Sequence, residues 1–401
     1  MEFIKFKGKR EYGELFKSNK NIDKDFSGAS PPSVFIGSNI NQKILNVGIL
    51  SPPERIDEAW IYDSPNYWYD NKYQIDDIVS LRASLINSKF KASIYDVRKE
   101  TKFLEIAKEI TMSLKPVDIE INLEKKPNNE NIILDKISFP SGPIAQLKNI
   151  RITSNVKIDN KIEKIYTDND LKSTEAITYL YKHNFDEHTL SKLLSLGIFG
   201  LKKDRRLVPT RWSIVATIDT ISKDILNNIK NYNLIENYEF YSGNYFGNYY
   251  FIVLSPNIWG YELFELYLPK SVWNFSGKLE VASDYEDYNG RKNYAVNTAG
   301  GYYQPRLKLL EFLNKIKKQA SCLVIRFETP EYTAPLGVWV TGMGAKNALD
   351  SKPVIFNSIE ETLNYAKNEI IKRFNIDLPD LLKNSLLVRN LKCQTSLKQF
   401  I

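Results

Sequence analysis

The sequence YSGNYFGNYYFIVL, residues 241–254, decides the fold class. It combines Tyr, Phe, Ile and Val with two Gly-Asn breaks, and it lies within a longer segment of similar character, residues 235–268. Strand-forming runs that are interrupted by short turn signals are typical of antiparallel hairpins. We therefore predict an antiparallel sheet in the second half of the chain.

Strand and helix patterns alternate on both sides of this segment. Residues 322–328 (CLVIRFE) and 336–341 (LGVWVT) have the apolar runs of strands, and residues 342–352 (GMGAKNALDSK) have the glycine content of a loop. Ser358 and Glu361 have capping-box spacing at the start of an amphipathic helix.

A change of period is predicted further upstream. Residues 212–218 (WSIVATI) favour a strand, and the four-residue spacing of Ile221, Ile225 and Ile229 indicates that a helix follows at once. The fold class predicted from these patterns is α+β, with mixed or antiparallel sheets and packed helices.

Composition limits the function classes. The 401 residues have 43% hydrophobic content, enough for a substantial core in two or three domains, and a net charge of +7. Two cysteines and two histidines cannot build a disulfide framework or a Cys/His zinc site, so any divalent metal would be held by carboxylates. His183 and His188 flank an acidic turn and are predicted to lie at the surface. Without an apolar membrane span or signal peptide, we expect a cytoplasmic protein.

The segment from 205 to 223 is a candidate phosphate site. Its polar residues are Arg205, Arg206, Arg211, Asp219 and Lys223. A helix that begins just after a strand would offer free N–H groups to a phosphate, with Arg211 and Lys223 as side-chain donors. Asp219 could ligate a metal or act as a base. The alternative is that Asp219 or Thr220 only caps the helix.

A second polar segment surrounds Gly300 and Gly301. It contains Asp284, Glu286, Asp287, Arg291, Tyr302, Tyr303, Gln304 and Arg306. The carboxylates could share a divalent cation, and the tyrosines could stack on bases. The alternative is an acidic turn followed by a Gly-Gly approach to a helix.

The chain ends in QTSLKQFI, residues 394–401. Gln394, Leu397 and Phe400 are three residues apart, so a tight helical turn would place them on one face. This resembles the PCNA-interacting peptide, Gln-x-x-aliphatic-x-x-aromatic-aromatic, by which repair proteins bind the sliding clamp. Ile401 stands in place of the second aromatic, which predicts weaker binding. The alternative is a tail that packs on the protein's own surface.

Several stretches together resemble the archaeal Nre family of PCNA-binding DNA repair proteins. They are SPPSVFIG, NVGILSPPE, DSPNYWY, DNDLKSTEAI, LVPTRWSI, DTISK, DYEDYNGR, GGYYQPRL and APLGVW, together with the terminal QTSLKQFI. Residues 1–30 are polar and charged, and we predict an irregular leader there. The resemblance implies an N-terminal Nre domain over 31–275, a C-terminal Nre domain over 276–381 and a flexible tail over 382–401. No N-terminal cysteine cluster of the zinc-finger kind is present, which argues against zinc-dependent DNA contact.

The resemblance implies a DNA repair factor that PCNA recruits, with a body that recognises or processes damaged DNA or a nucleotide. DNA and other repair proteins are the further expected partners, and no membrane is expected. If the protein is an enzyme, we expect phosphate or glycosidic chemistry from Arg211, Asp219, Asp284, Glu286 and Arg291. We expect phosphate or nucleic-acid contacts from Arg205, Arg206, Lys223, Tyr302, Tyr303 and Arg306. Neither residues nor resemblance identify a reaction, so a non-catalytic adaptor and a nucleotide- or nucleoside-processing enzyme stay open.

Overall fold

The computed structural model describes residues 22–99, 101–127, 136–298, 300–377 and 381–393. Of these, the residues up to Ile221 and Ala334–Gly337 form one compact unit, and Ser222–Thr333 with the residues from Val338 onward form a second. Among the described residues, no helix has the length and apolar character that a membrane span needs.

In the residues that the structure describes, each unit contains one sheet. The strands are β1 (Asp25–Ser30), β2 (Val34–Ile36), β3 (Ile44–Ser51), β4 (Ile86–Ser93), β5 (Val117–Leu123), β6 (Ile144–Ile152), β7 (Tyr238–Tyr245), β8 (Asn248–Ser255), β9 (Gly260–Tyr267), β10 (Glu280–Glu286), β11 (Ser321–Glu328) and β12 (Val354–Phe356). The helices are α1 (Pro65–Asp70), α2 (Ile75–Ala83), α3 (Lys102–Met112), α4 (Asn160–Thr167), α5 (Ser173–Lys182), α6 (Glu187–Ser195), α7 (Thr210–Ile229), α8 (Tyr303–Ile316), α9 (Trp339–Leu349), α10 (Ile359–Phe374) and α11 (Leu386–Cys393). The predicted α+β class is confirmed.

The first unit has a six-stranded mixed sheet in the order β1-β5-β6-β4-β3-β2. The β4–β6 pair is parallel, and the other pairs are antiparallel. The burial of β5 alternates strictly, with Val117, Ile119, Ile121 and Leu123 inside, which is typical of a strand with one face on the core.

The second unit has a sheet in the order β10-β9-β11-β8-β7-β12. One face packs an apolar core against α10 and α11, built from residues such as Phe251, Phe327 and Ile370. The opposite face meets α8 and α9, as the contact between the Tyr241 and Phe312 rings shows. Because both faces are covered, the central strands β8, β9 and β11 are almost wholly buried.

The hairpin prediction for residues 235–268 is half right. β7 and β8 form an antiparallel hairpin in which Phe246 and Gly247 both have positive φ, as a tight two-residue hairpin turn requires. β8 and β9 are not paired with each other. β11 lies between them, antiparallel to β8 and parallel to β9, so the connection from β8 to β9 is a crossover.

The strand predicted over residues 212–218 is wrong, because these residues belong to α7. Ile214 and Ile218 are buried and continue the stripe of Ile221, Ile225 and Ile229, so a single helical period runs through the whole segment. The β-branched composition suggested a strand, and packing against the core decided otherwise.

The strand and loop predicted over residues 336–352 are also wrong, because most of this segment forms α9. A Cβ atom at Gly342 would lie 2.6 Å from Gln304 Oε1, and one at Gly344 would lie 2.5 Å from Tyr250 Cε2. These glycines therefore permit close packing of a buried helix, not a loop. The helix predicted from Ser358 is confirmed, with Ser358 Oγ accepting a hydrogen bond from Glu361 N at 3.2 Å.

Candidate functional site

The predicted site residues are divided between the two units. Arg205, Arg206, Arg211 and Asp219 belong to the first unit, and Lys223, Asp284, Glu286, Arg291, Tyr302, Tyr303 and Arg306 belong to the second. The proposed clamp-binding residues Gln394, Leu397, Phe400 and Ile401 lie outside the described residues. Each set is therefore described by itself.

The predicted phosphate site at the start of a helix near Asp219 is not formed. Asp219 and Thr220 lie in the middle of α7, where Thr220 Oγ1 donates to the carbonyl of Ala216 at 2.7 Å, so neither residue caps a helix. Arg211 is in the first turn and partly buried, and Arg206 and Lys223 are exposed. Phosphate contact by these three cations stays a prediction.

Arg205 holds the backbone of its own unit. Its guanidinium donates to the carbonyls of Gly200, Tyr166 and Asp168 at 2.9, 2.8 and 2.7 Å, and its carbon lies 5.4 Å from the centroid of the Tyr166 ring. The residue is buried, and these bonds connect the C-terminal end of α4 with the segment that follows α6. This geometry favours a structural role over phosphate binding.

Glu286 is the centre of a buried network in the second unit. Its Oε1 accepts hydrogen bonds from the Trp259 indole N–H at 2.9 Å and from Arg306 Nε at 2.7 Å. Its Oε2 accepts from the Tyr302 hydroxyl at 3.0 Å, and the Tyr302 carbonyl accepts from the Tyr261 hydroxyl at 3.2 Å. The Glu286 and Arg306 side chains are 0% and 1% exposed. This network joins β9, β10 and α8.

Asp284 continues the network along β10. Its Oδ2 accepts from the backbone N–H and the hydroxyl of Thr298 at 2.8 and 2.9 Å, and its Oδ1 is 3.0 Å from Arg291 Nη1. The Arg291 guanidinium also lies over the Tyr302 ring, 5.2 Å from its centroid. The segment from 284 to 306 thus comes together, and Asp284 and Glu286 both face inward with protein partners.

A neighbouring charged group was missed by the sequence analysis. Arg326 on β11 pairs with Glu265 on β9, and its Nη2 donates to Glu328 Oε2 at 2.9 Å. Asn248 Oδ1 accepts from Arg326 Nε at 3.0 Å. A Cβ atom at Gly301 would lie 1.8 Å from Glu265 Oε1, which explains the glycine there. The alternation of Arg326 and Glu328 within a buried strand was the available signal.

The hydroxyls of Tyr302 and Tyr267 donate hydrogen bonds to Glu286 and Glu265, whereas the Tyr303 hydroxyl accepts one from the backbone N–H of Ala295. Burial raises the pKa of Tyr302 far above its usual value, and the nearby Glu286 carboxylate acts in the same direction. Burial and Glu265 likewise raise the pKa of Tyr267. Both hydroxyls stay protonated. Tyr302 is 0% exposed and Tyr303 is 7% exposed, so neither ring presents a face for stacking on a base in this conformation.

The hydrogen bonds and ion pairs of this network indicate a structural role. A buried carboxylate is stable when its oxygens accept hydrogen bonds from positively charged side chains or from N–H groups. Asp284 and Glu286 both meet that condition. Within the described part of the chain, no group of three or more His, Cys, Asp or Glu side chains could hold a metal ion.

The sequence analysis also missed a buried ion cluster in the first unit. Asp63 Oδ1 is 2.6 Å from Arg82 Nη1, and Asp63 Oδ2 is 3.1 Å from Lys192 Nζ. Burial alone would raise the pKa of Asp63, but Lys192 and Arg82 together hold it below its usual value. Phe139 lies beneath the Arg82 guanidinium and edge-on to His188. The surface prediction holds for His183 and is wrong for His188, whose side chain is 10% exposed.

The described part of the predicted tail is folded. Residues 386–393 form α11, with Leu387 and Val388 buried. Glu262 on β9 accepts from the backbone N–H groups of Leu386 and Leu387, each at 3.0 Å, and from the Ser385 hydroxyl. Residues 386–393 of the predicted tail are therefore helical, residues 394–401 lie outside the described residues, and the domain bounds stay predictions.

Two family models match the chain. The model described as archaeal Nre, N-terminal, matches residues 10–274, and the model described as archaeal Nre, C-terminal, matches residues 286–400. The chain belongs to the archaeal Nre family. Strands β7 to β9 fall in the N-terminal Nre match and β11 and β12 in the C-terminal one, so the second sheet is built from both.

Curated relatives extend over most of the chain. It is 36% identical to a protein named DNA repair protein NreA from Archaeoglobus fulgidus, over 88% of either chain. It is 32% identical to the Haloferax volcanii protein of the same name, over 95% of this chain and 90% of the relative. It is 34% identical to DNA repair protein NreB from Archaeoglobus fulgidus, over 92% of this chain and 90% of the relative. No solved structure matches the chain significantly.

Proposed function

We propose that this Nre protein is a DNA repair factor that the sliding clamp PCNA recruits through residues 394–401. The family and its relatives named DNA repair proteins support the repair role. The observation that carries recruitment is the terminal sequence, in which Gln394, Leu397 and Phe400 have the spacing of a clamp-binding peptide.

The helix that precedes this peptide, α11, is packed on the sheet of the second unit. α11 ends at Cys393, and the buried carboxylate of Glu262 binds the N–H groups at its first turn. A carboxylate at a helix N-terminus is favourable for both hydrogen bonding and the helix dipole. The peptide therefore follows directly after a helix that is held on the sheet, so a bound clamp would stay close to the second unit.

For the body, we propose recognition or processing of damaged DNA or of a nucleotide. Arg206, Arg211 and Lys223 are the proposed phosphate contacts with exposed or partly exposed side chains. A non-catalytic adaptor that connects PCNA to another repair protein is the second candidate. The burial and internal pairing of Asp284 and Glu286 favour it over catalysis by those two carboxylates. A nucleotide-processing enzyme is the third candidate, and it requires a different set of reacting groups.

A pull-down of PCNA from the same organism tests recruitment. We expect the double variant Leu397→Ala/Phe400→Ala to lose clamp binding, because both apolar anchors are removed. The matched control is Thr395→Ala/Ser396→Ala, which alters only the two positions between Gln394 and Leu397 and should bind as the wild type does. Clamp binding that persists in the Leu397/Phe400 variant would refute recruitment by this peptide.

A further inference from the structure

α11 separates two clefts of similar size in the second unit. The first cleft, about 450 Å³, lies between α11 and α10. The second, about 440 Å³, lies on the other side of α11, beside β9, β10 and the turn that follows β10. Both volumes are within the range of sites that hold a small molecule or a single nucleotide unit. Their linings differ in charge and in aromatic content.

The first cleft is basic. Four cationic side chains line it, against one carboxylate, that of Glu360; the cations are Lys367, Lys383, Arg389 and Lys392. Lys383, Arg389 and Lys392 are exposed, and Lys367 Nζ is 3.4 Å from Asp377 Oδ1. Like charges that are brought together along one cleft repel, and a polyanion relieves that repulsion. The cleft therefore suits a chain of phosphates.

The second cleft is aromatic and rich in amides. Tyr285 and Tyr288 line it together with three amide side chains and one carboxylate, which are those of Asn257, Asn289, Asn390 and Asp287. Lys230 Nζ lies 4.6 Å from the centroid of the Tyr288 ring, and Asn390 Nδ2 donates to the Tyr285 hydroxyl at 3.1 Å. Nucleobases combine flat π faces with donor and acceptor edges, and proteins bind them with aromatic rings and amide groups of this kind.

We propose that the surface centred on α11 binds single-stranded DNA, with phosphates in the basic cleft and a base in the aromatic cleft. A helix is about 10 Å wide, so a short length of single strand that crosses α11 can reach both clefts. An acidic peptide would suit the basic cleft, but it offers nothing for the tyrosines of the other. This inference rests on the proposed function in one respect, that the partner is DNA.

The test measures binding of a fluorescent oligo(dT) by anisotropy over a range of NaCl concentrations, with the full chain and without PCNA. We expect Lys383→Gln/Arg389→Gln/Lys392→Gln to weaken binding and to flatten the slope of log K against log salt. For single strands each phosphate contact contributes roughly 0.7 to that slope, so three lost contacts change it by about 2. The control is Lys278→Gln/Lys315→Gln/Lys352→Gln, three exposed lysines of the same unit that do not line the clefts.

Tyr288 tests the base contact separately. We expect Tyr288→Ala to lower the affinity at least about five-fold, since one stacked base is worth roughly that or more. Tyr288→Phe keeps the ring and should bind almost as the wild type does. Equal affinity and equal salt slope in the wild type, the Lys383/Arg389/Lys392 variant and Tyr288→Ala would overturn the proposal.

Cys393 supplies an independent readout. It lines the aromatic cleft and is exposed, whereas Cys322, the other cysteine of the chain, is buried. We expect oligo(dT) to slow alkylation of Cys393 by a thiol reagent, and a polyglutamate peptide of equal charge not to do so. Protection by the peptide alone would overturn the proposal in favour of an acidic protein partner. Because PCNA is absent from these assays, their failure leaves the clamp pull-down unaffected, and a failed pull-down leaves these assays unaffected.

Discussion

Replacing Glu286 by glutamine would show whether its role is structural or catalytic. The carboxylate accepts hydrogen bonds from Trp259, Tyr302 and Arg306, and both charged side chains are almost completely buried. In Glu286→Gln, Arg306 keeps its positive charge in the interior but loses its ion pair with Glu286. Breaking a buried ion pair from one side costs about 3–5 kcal/mol. Since whole proteins are stable by about 5–15 kcal/mol, this loss is large.

The assay is urea unfolding followed by far-ultraviolet circular dichroism, with the midpoint and slope compared between variants. The matched control is Glu280→Gln, the same chemical change on the same strand at a partly exposed position. We expect the control to change the free energy of unfolding by no more than about 0.5 kcal/mol. Adding Arg306→Met to Glu286→Gln should restore part of the lost stability, because the uncompensated charge is then removed.

The opposite result is equally informative. Catalytic groups are commonly held at a cost in stability, so their replacement leaves folding unchanged or improves it while activity is lost. If Glu286→Gln unfolds at the same or a higher urea concentration than the wild type, and cells that carry it lose survival after DNA damage, the structural explanation is refuted. Glu286 would then be a candidate for chemistry after all.

Two further predictions concern the first unit and the sheet of the second. Arg82 and Lys192 hold the pKa of Asp63 below its usual value of about 3.9, so Asp63 contributes stability above that pH and loses it as the pH falls through the lower, folded-state pKa. The Asp63→Asn variant should therefore have a lower midpoint of thermal unfolding at pH 7, and between pH 5 and pH 2 its midpoint should fall less steeply than that of the wild type. Parallel plots of the midpoint against pH would contradict this. A fragment that ends at residue 275 lacks β10 and β11, the two strands that pair with β9, so hydrogen exchange in β9 should be much faster than in the full chain. Equal protection would show that β9 keeps its structure without either partner strand.

Local signals in the sequence predicted the elements whose ends they define. Ser358 and Glu361 lie at the start of α10 as their spacing requires, because a capping box acts within one turn. In α7 and α9 the local signals pointed elsewhere. Isoleucine and valine suggested a strand in α7, and Gly342 and Gly344 suggested a loop in α9. The contacts that decide both cases come from residues far away in the chain, such as Tyr250 against Gly344.

The same limit applies to the candidate site. The residues from 284 to 306 are close in sequence, and the turn between β10 and α8 keeps them close in space, so their grouping could be predicted. Trp259, Glu265 and Arg326 complete the polar face from strands whose order was not predictable. Burial of these groups could not be predicted either. The spacing of charged residues in the sequence is the same whether their side chains face solvent or pair with one another in the interior.

The buried network crosses the boundary between the two Nre matches. Trp259 and Tyr261 belong to the N-terminal match, whereas Glu286 and Arg306 belong to the C-terminal match. A two-residue shift of β10 along β9 would keep the inward-facing side chains inward, but it would separate the Glu286 carboxylate from the Trp259 indole N–H and leave buried polar groups without a partner. The hydrogen bond from Trp259 to Glu286 therefore favours one register between the two segments. Arg306 balances the charge of this buried carboxylate, which is a physical reason for the ion pair without any role in catalysis.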